Sequence, residues 1–127
     1  MHVYKRYDSK QRLLSGPVLF CELEDEIAQL KEDPEWQQRH RNAVTLVKEP
    51  HLSVVLVVLQ KGAKLQEHRA PGPFTIQVLN GAVRVGIDHE IRTVMRNGLV
   101  SMEKGIPHDV EALEETALLV TIAEPKP

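Results

Sequence analysis

Hydrophobic and polar positions follow a helical period once near the start of the chain and alternate as in strands after it. Leu23, Ile27 and Leu30 recur at spacings of four and three, with charged residues between them. This spacing predicts a helix over residues 22–32. Pro34 ends that helix or caps the next segment, and Trp36 is interpreted as a packing anchor. We therefore expect residues 1–42 to form an N-terminal extension with one short helix.

From residue 43 to residue 124 the chain reads as short apolar-alternating segments separated by Gly, Pro, Asn and Asp. Turn residues recur about every 8–12 positions, a spacing typical of all-β sandwiches and barrels. The pattern predicts about eight or nine short strands in an antiparallel sandwich or barrel. We expect one domain overall, an all-β barrel preceded by the short helix.

Asn80-Gly81 is the clearest local turn in the chain. This pair favours a two-residue type I′ hairpin loop, which predicts that residues 74–79 pair with residues 82–87. In that register Val78 lies opposite Val83, and Ile76 lies opposite Val85. One face of the hairpin is then wholly apolar and should face the core. It consists of Phe74, Ile76, Val78, Val83, Val85 and Ile87.

The segment from Val54 to Leu59 is apolar at every position, which is typical of a strand covered on both faces. The interior of one barrel covers only one of them. A single short helix offers little cover for the other, so we expect a homodimer with sheet faces in the interface.

Composition narrows the class of protein. The chain has 127 residues, 42% of them hydrophobic and 27% charged, with a formal net charge of −2. These values fit a soluble globular protein and argue against nucleic acid or an anionic membrane as the main partner. Cys21 is the single cysteine, so no intrachain disulfide forms and a reducing compartment, the cytoplasm, is expected. No apolar run has the length of a signal peptide or a membrane span.

Two sets of glycines and histidines at fixed spacings resemble the two sequence motifs of the cupins. The first motif is a glycine, five residues and a histidine, closed by a second glycine. The second motif opens on a glycine and continues with a glycine three residues before a histidine. The matching residues are Gly62, His68, Gly81, Gly98, Gly105 and His108. The resemblance covers about residues 44–123 and implies a double-stranded β-helix, or small jelly-roll barrel.

The same resemblance bears on metal binding. In cupins, two histidines and a glutamate of the first motif and the histidine of the second typically hold a divalent metal. Here Ala70 stands at the place of the second histidine and Phe74 at that of the glutamate. Of the four metal-ligand positions, this sequence retains only His68 and His108. Zinc and non-haem iron sites usually take three or four protein ligands, so we expect weak or no binding of zinc, iron, manganese or nickel.

The parity of the strands independently favours a small-molecule pocket. In a strand, His68 and Ala70 point to one side, as do His108 and Val110. If that side faces the barrel, two histidines meet an apolar lining, which is typical of ligand pockets. The alternative is that both histidines are strand-end residues bonded to backbone. The predicted pocket comprises His68, Ala70, Phe74, Ile76, Val78, Val83, Val85, His108 and Val110.

Three functions therefore stay open. The first is a small-molecule-binding cupin, with little or no catalysis. The second is a metal-dependent oxygenase or isomerase that uses His68 and His108. The third is a structural protein that mainly dimerises. The sequence leaves open whether the chain is an enzyme and identifies no ligand or substrate.

Overall fold

The computed structural model describes residues 12–68 and 70–124, and of residues 66–68 only the backbone. The part of the predicted N-terminal extension before residue 12 lies outside them. Among these residues two helices precede nine strands, and neither of those helices is long and apolar enough to cross a membrane. In chain order they are α1 (Leu23–Glu32), α2 (Pro34–Arg39), β1 (Arg41–Glu49), β2 (Leu52–Leu59), β3 (Lys64–His68), β4 (Phe74–Asn80), β5 (Ala82–Ile87), β6 (Glu90–Met95), β7 (Leu99–Met102), β8 (His108–Ala112) and β9 (Thr116–Ala123).

The described strands form two antiparallel sheets. The five-stranded sheet has the order β1-β2-β9-β4-β7, and the four-stranded sheet has the order β3-β8-β5-β6. Consecutive strands β4 and β5 belong to different sheets, as do β6 and β7, so the chain repeatedly crosses from one sheet to the other. The predicted all-β class with a short helix on the N-terminal side is confirmed.

The hairpin predicted at Asn80-Gly81 is wrong. Strand β4 pairs with β7 and β9, and β5 pairs with β6 and β8, so the two strands share no ladder. Gly81 has a φ of 88°, whereas Asn80 lacks the positive φ that a type I′ turn requires. The turn instead carries the chain from the five-stranded sheet to the four-stranded sheet.

The apolar face predicted for β4 and β5 nevertheless points inward. Side chains alternate between the two faces of a strand whichever strand it pairs with. The inward-facing residues of β4 and β5 were therefore predicted correctly, although the pairing of these two strands was not. Ile87 is only partly buried against this packing. The interior cluster, between the two sheets, consists of Val57, Leu59, Ala70, Phe74, Ile76, Val78, Val83, Val85, Met102, Val110, Ala112 and Leu118.

Strand β2 is buried on both faces, as predicted, but the face that points away from the barrel interior is covered by other parts of the same chain. Its other face contributes Leu56 and Val58 to an outer cluster with Leu30, Trp36, Leu46 and Ala117. Asp33 accepts a hydrogen bond from the backbone of Glu35 and caps α2. The two helices therefore supply the cover for which a second subunit was expected. Homodimer formation stays a prediction.

Candidate functional site

The site begins at one end of the barrel, where β8 starts. His108 lies opposite Ile87 of β5 on one side and opposite His68 of β3 on the other. Segments 70–73, 88–89 and 103–107 connect strands at this end. We call it the open end, since a cavity lined in part by His108 lies there.

His108 is held firmly at the open end. Its side chain is 2% exposed, and its Nδ1 lies 3.0 Å from the carbonyl oxygen of Ile106. A carbonyl only accepts, so Nδ1 is the donor. In the neutral ring Nε2 is then an acceptor. The ring of Phe74 packs against the imidazole, with centroids 4.9 Å apart and planes at 36°. Packing and hydrogen bond together fix the orientation of the imidazole.

A cavity of about 640 Å³ opens beside His108. Its volume lies within the usual range for small-molecule sites. The cavity lies at the segment between β7 and β8 and the turn between β5 and β6, and it extends to the exposed side chains of Ile91 and Asp109. The described residues that line it are Gly86, Ile87, Asp88, Ile91, Ile106, Pro107, His108 and Asp109.

This lining differs from the predicted pocket, with which it shares His108. The predicted apolar residues Phe74, Ile76, Val78, Val83 and Val85 are packed in the interior cluster. Ala70 and Val110 are buried in the same cluster. The structure thus brings the predicted residues together, but as barrel core. Sequence reasoning missed Ile106 and Pro107, although they directly precede the histidine of the second motif.

His68 lies directly opposite His108 in the β3–β8 ladder. The register is irregular between Leu65 and His68, so β3 changes course just before the histidine. The side chain of His68 lies outside the described residues, and its role as a pocket or metal residue stays a prediction.

The described residues do not fit a metal centre. No group of three His, Cys, Asp or Glu side chains among them is placed to hold a metal ion. Phe74 occupies one side of the His108 ring, and Ala70 is buried in the interior cluster. His51 and His89 lie exposed in turns. Because the described residues near His108 offer few metal ligands, any metal binding at His68 and His108 should be weak. This remains a prediction.

A smaller cavity, of about 380 Å³, lies on the outer face of the four-stranded sheet. Lys64, Arg84 and Glu111 are cross-strand neighbours there, with an Arg84 nitrogen 3.7 Å from a Glu111 oxygen. Both side chains of that pair are partly solvated, which is usual for surface ion pairs. The lining of this cavity does not include His108, and we assign it no site.

Cys21 lies on the helical side of the molecule, packed against the outer cluster. Burial raises the pKa of its thiol, and the neighbouring carboxylates of Glu26 and Glu22 raise it further against the opposing effect of Arg12. A raised pKa disfavours the thiolate, which is the nucleophilic form. We therefore interpret Cys21 as a packed residue and not as a nucleophile.

No protein-family model and no curated protein matches the chain. Solved structures do match. A conserved protein of unknown function from Streptococcus pyogenes is 29% identical, with a TM-score of 0.65 over 71% of this chain and 79% of that one. An RmlC-like cupin family protein with a double-stranded β-helix fold, from Methanocaldococcus jannaschii, is 12% identical, with a TM-score of 0.63 over 68% and 82%.

A mutant form of salicylate 1,2-dioxygenase from Pseudoaminobacter salicylatoxidans is also similar. It is 17% identical, with a TM-score of 0.71 over 81% of this chain and 34% of that one. At such identities the likeness shows a common fold, and the dioxygenase activity is a property of that larger protein. The predicted double-stranded β-helix is confirmed by these matches.

Proposed function

The chain has the fold of the cupin superfamily, and from this premise we propose that it binds a small, partly apolar molecule at the open end of the barrel. The observation that carries the proposal is the buried, oriented imidazole of His108 beside a cavity of about 640 Å³. An apolar lining with a few fixed polar groups is the usual composition of a ligand site.

The lining indicates the chemical class of the ligand. Ile87, Ile106 and Pro107 offer apolar contacts. The imidazole of His108 is the oriented polar group beside these contacts, so we propose that the ligand carries a hydroxyl or another donor. Asp88 and Asp109 line the same cavity, and their carboxylates disfavour an anion. We therefore propose a neutral or cationic ligand with one donor group and an apolar body.

Phenol is a suitable first probe, because it combines a donor with an apolar ring. Its titration can be followed by NMR of the histidine ring carbons in uniformly labelled protein. We expect the His108 signals to shift with saturation, and to shift equally in a His89→Ala control, since His89 is exposed in a turn. Shifts confined to His51 and His89 would contradict the proposal.

A metal-dependent oxygenase or isomerase is the second candidate function. The specific observation in its favour is the register that sets His68 opposite His108. We propose that any zinc, iron, manganese or nickel is bound there weakly. Elemental analysis after gentle purification should find much less than one metal per chain. One full equivalent that is lost in a His108→Phe variant would favour the enzyme instead.

We also propose that the chain forms a homodimer. Among the described strands β6 pairs only with β5, and its Ile91 and Met95 are 66% and 63% exposed. Antiparallel pairing of two copies centred on Ile91 would set Glu90 of each copy opposite Arg92 of the other. Light scattering over a concentration series should give a dimer that Arg92→Glu weakens. A monomer throughout would contradict this.

The cytoplasm remains the proposed location, supported by the presence of a single cysteine. Fractionation of cells expressing the untagged full-length protein tests it directly. Recovery in a secreted or membrane fraction would count against this location.

A further inference from the structure

The segment Ala70–Pro73, which we call the lip, joins β3 to β4 at the open end. Gly72 is buried within it while Pro71 and Pro73 are exposed. A Cβ at Gly72 would overlap the carbonyl oxygen of Ala123 and lie 3.0 Å from the carbonyl carbon. The φ of Gly72 is outside the left-handed region, so close approach, and not backbone conformation, requires the glycine there.

The lip is also hydrogen-bonded to β9. The backbone nitrogen of Ala123 donates to the carbonyl oxygen of Pro73 over 2.9 Å. Immediately beyond it, Phe74 pairs with Ile122 in the β4–β9 ladder. The lip therefore rests on the end of β9 through a backbone contact and a hydrogen bond, and it continues into a strand that β9 holds.

The end of β9 is fixed in turn by a polar group that we call the clamp: Lys48, Ser53 and Glu124. The Lys48 nitrogen lies 2.8 and 2.7 Å from the two carboxylate oxygens of Glu124. The hydroxyl of Ser53 donates to the same carboxylate over 2.7 Å. The backbone nitrogen of Glu124 donates to the carbonyl oxygen of His51 over 2.9 Å. The clamp ties β9 to the β1–β2 turn.

Both ends of the lip adjoin the candidate site. Ala70 is buried in the interior cluster, and Phe74, just after the lip, packs on the His108 ring. His68 lies two residues before Ala70. A displacement of the lip would therefore move the residues on both sides of His108 without touching the cavity lining itself.

From this chain of contacts we infer that Gly72 and the clamp are positioning residues for the open end. They set the lip, and the lip sets Phe74 and the course of the backbone from His68. None of them lines the described cavity. The consequence for ligand affinity rests on the proposed function, whereas the effect on the lip does not.

The direct test is Gly72→Ala, read by amide hydrogen exchange across residues 70–74 and by the NMR signals of the His68 and His108 rings. Since the added methyl meets backbone and not a flexible side chain, the lip must shift. We expect exchange to speed up by about tenfold or more, and both histidine signals to move. Pro71→Ala, in the same lip but exposed, is the matched control and should leave both unchanged.

A second variant keeps the inference testable if Gly72→Ala fails to fold. Lys48→Met removes the cation of the clamp at the far side of β9. We expect exchange in the lip to rise by about fivefold, because a partly buried ion pair is lost. Arg39→Met, which removes a surface ion pair with Glu35, is the control and should not affect the lip.

The positioning role and the ligand site can fail separately. If lip exchange and the histidine signals are unchanged in the folded variants, the inference is overturned, whether or not phenol binds the wild type. If they change and phenol affinity also falls about tenfold in Gly72→Ala, the inference holds together with the proposed function. If they change but the wild type does not bind phenol, the positioning role stands and the phenol-based proposal fails.

Discussion

The two ends of the barrel each bury a polar side chain, and they use it differently. At the closed end, where β9 begins, Thr116 is 2% exposed, the same fraction as His108 at the open end. The Thr116 hydroxyl accepts from the backbone nitrogen of Ala82 over 3.2 Å. It also lies 2.7 Å from the carbonyl oxygen of Glu114 and 3.1 Å from that of Ala82.

Thr116 thus joins the turn after β8 to the first residue of β5, and its hydrogen bonds close that end. His108 is bonded to Ile106 through Nδ1 and is also one of the residues that line the large cavity. Burial is equal at the two residues, so burial alone does not separate a structural residue from the ligand-binding role that we propose for His108. The cavity beside His108 is the difference between the two ends, and substitutions can test it.

The largest effect is expected for Gly81→Ala at the closed end. Gly81 has a φ of 88°, and a Cβ there would overlap the Glu115 carbonyl oxygen and lie 2.8 Å from the Cα of Thr116. Both the left-handed backbone and the backbone clash oppose alanine, so the free energy of unfolding should fall by roughly 3 kcal/mol or more. Urea unfolding followed by circular dichroism measures it.

Gly105→Ala is the matched substitution at the open end. Gly105 has a φ of 78°, but nothing lies within 4 Å of its added Cβ. Only the cost of the left-handed backbone conformation remains, so the free energy of unfolding should fall by about 1–2 kcal/mol. Equal losses at Gly81 and Gly105 would show that the closed end is not packed as described.

The next effect is expected for Thr116→Val, which keeps the shape and removes the hydroxyl. The buried nitrogen of Ala82 then loses a partner, and the free energy of unfolding should fall by about 1–3 kcal/mol. Thr93→Val is the control, since Thr93 is exposed on β6, and should stay within about 0.5 kcal/mol of the wild type. Similar values for both threonines would weaken the distinction between the two ends.

A smaller stability effect is expected for His108→Phe. The aromatic contact with Phe74 is kept, and one hydrogen bond to Ile106 is lost, so the cost should be about 0.5–1.5 kcal/mol. Phenol binding should nevertheless disappear. A loss of stability greater than that of Thr116→Val, with binding retained, would make His108 a structural residue like Thr116.

The smallest effect concerns Cys21, which lies away from both ends. Because burial and then Glu26 raise its pKa, the thiolate fraction at pH 7 is below that of an exposed cysteine. Alkylation by iodoacetamide should be slower than for a cysteine peptide and should rise with pH up to the raised pKa. Glu26→Gln removes a carboxylate that raises the pKa and should speed alkylation. A folded protein that reacts like the peptide would contradict this.

Much of the fold follows from local pattern. The helical spacing of Leu23, Ile27 and Leu30 matches α1, and the alternation from residue 43 matches the strands. The second helix was missed because six residues, Pro34–Arg39, hold too few periods to show. The pairing of β4 with β5 was wrong because a turn preference of Asn80-Gly81 is local, whereas strand partners are decided by the whole sheet.

The candidate site was only partly predictable. The resemblance to the cupin motifs implied that His68 and His108 lie on neighbouring strands, and the two residues are paired in the β3–β8 ladder. Spacing and parity indicated which side chains point inward. They could not tell whether those side chains enclose space or fill it, since this depends on how far apart the two sheets pack. The cavity lined by Ile106 and Pro107 therefore required the three-dimensional arrangement.

The position of β9 in its sheet has a consequence for biosynthesis. This strand lies between β2 and β4, yet it is translated after all the other described strands. Until β9 emerges from the ribosome, β1–β2 and β4–β7 are separate ladders with two unpaired edges. The interior cluster also lacks Leu118. The barrel is therefore expected to close late, and its incomplete edges make the nascent chain a natural client for chaperones.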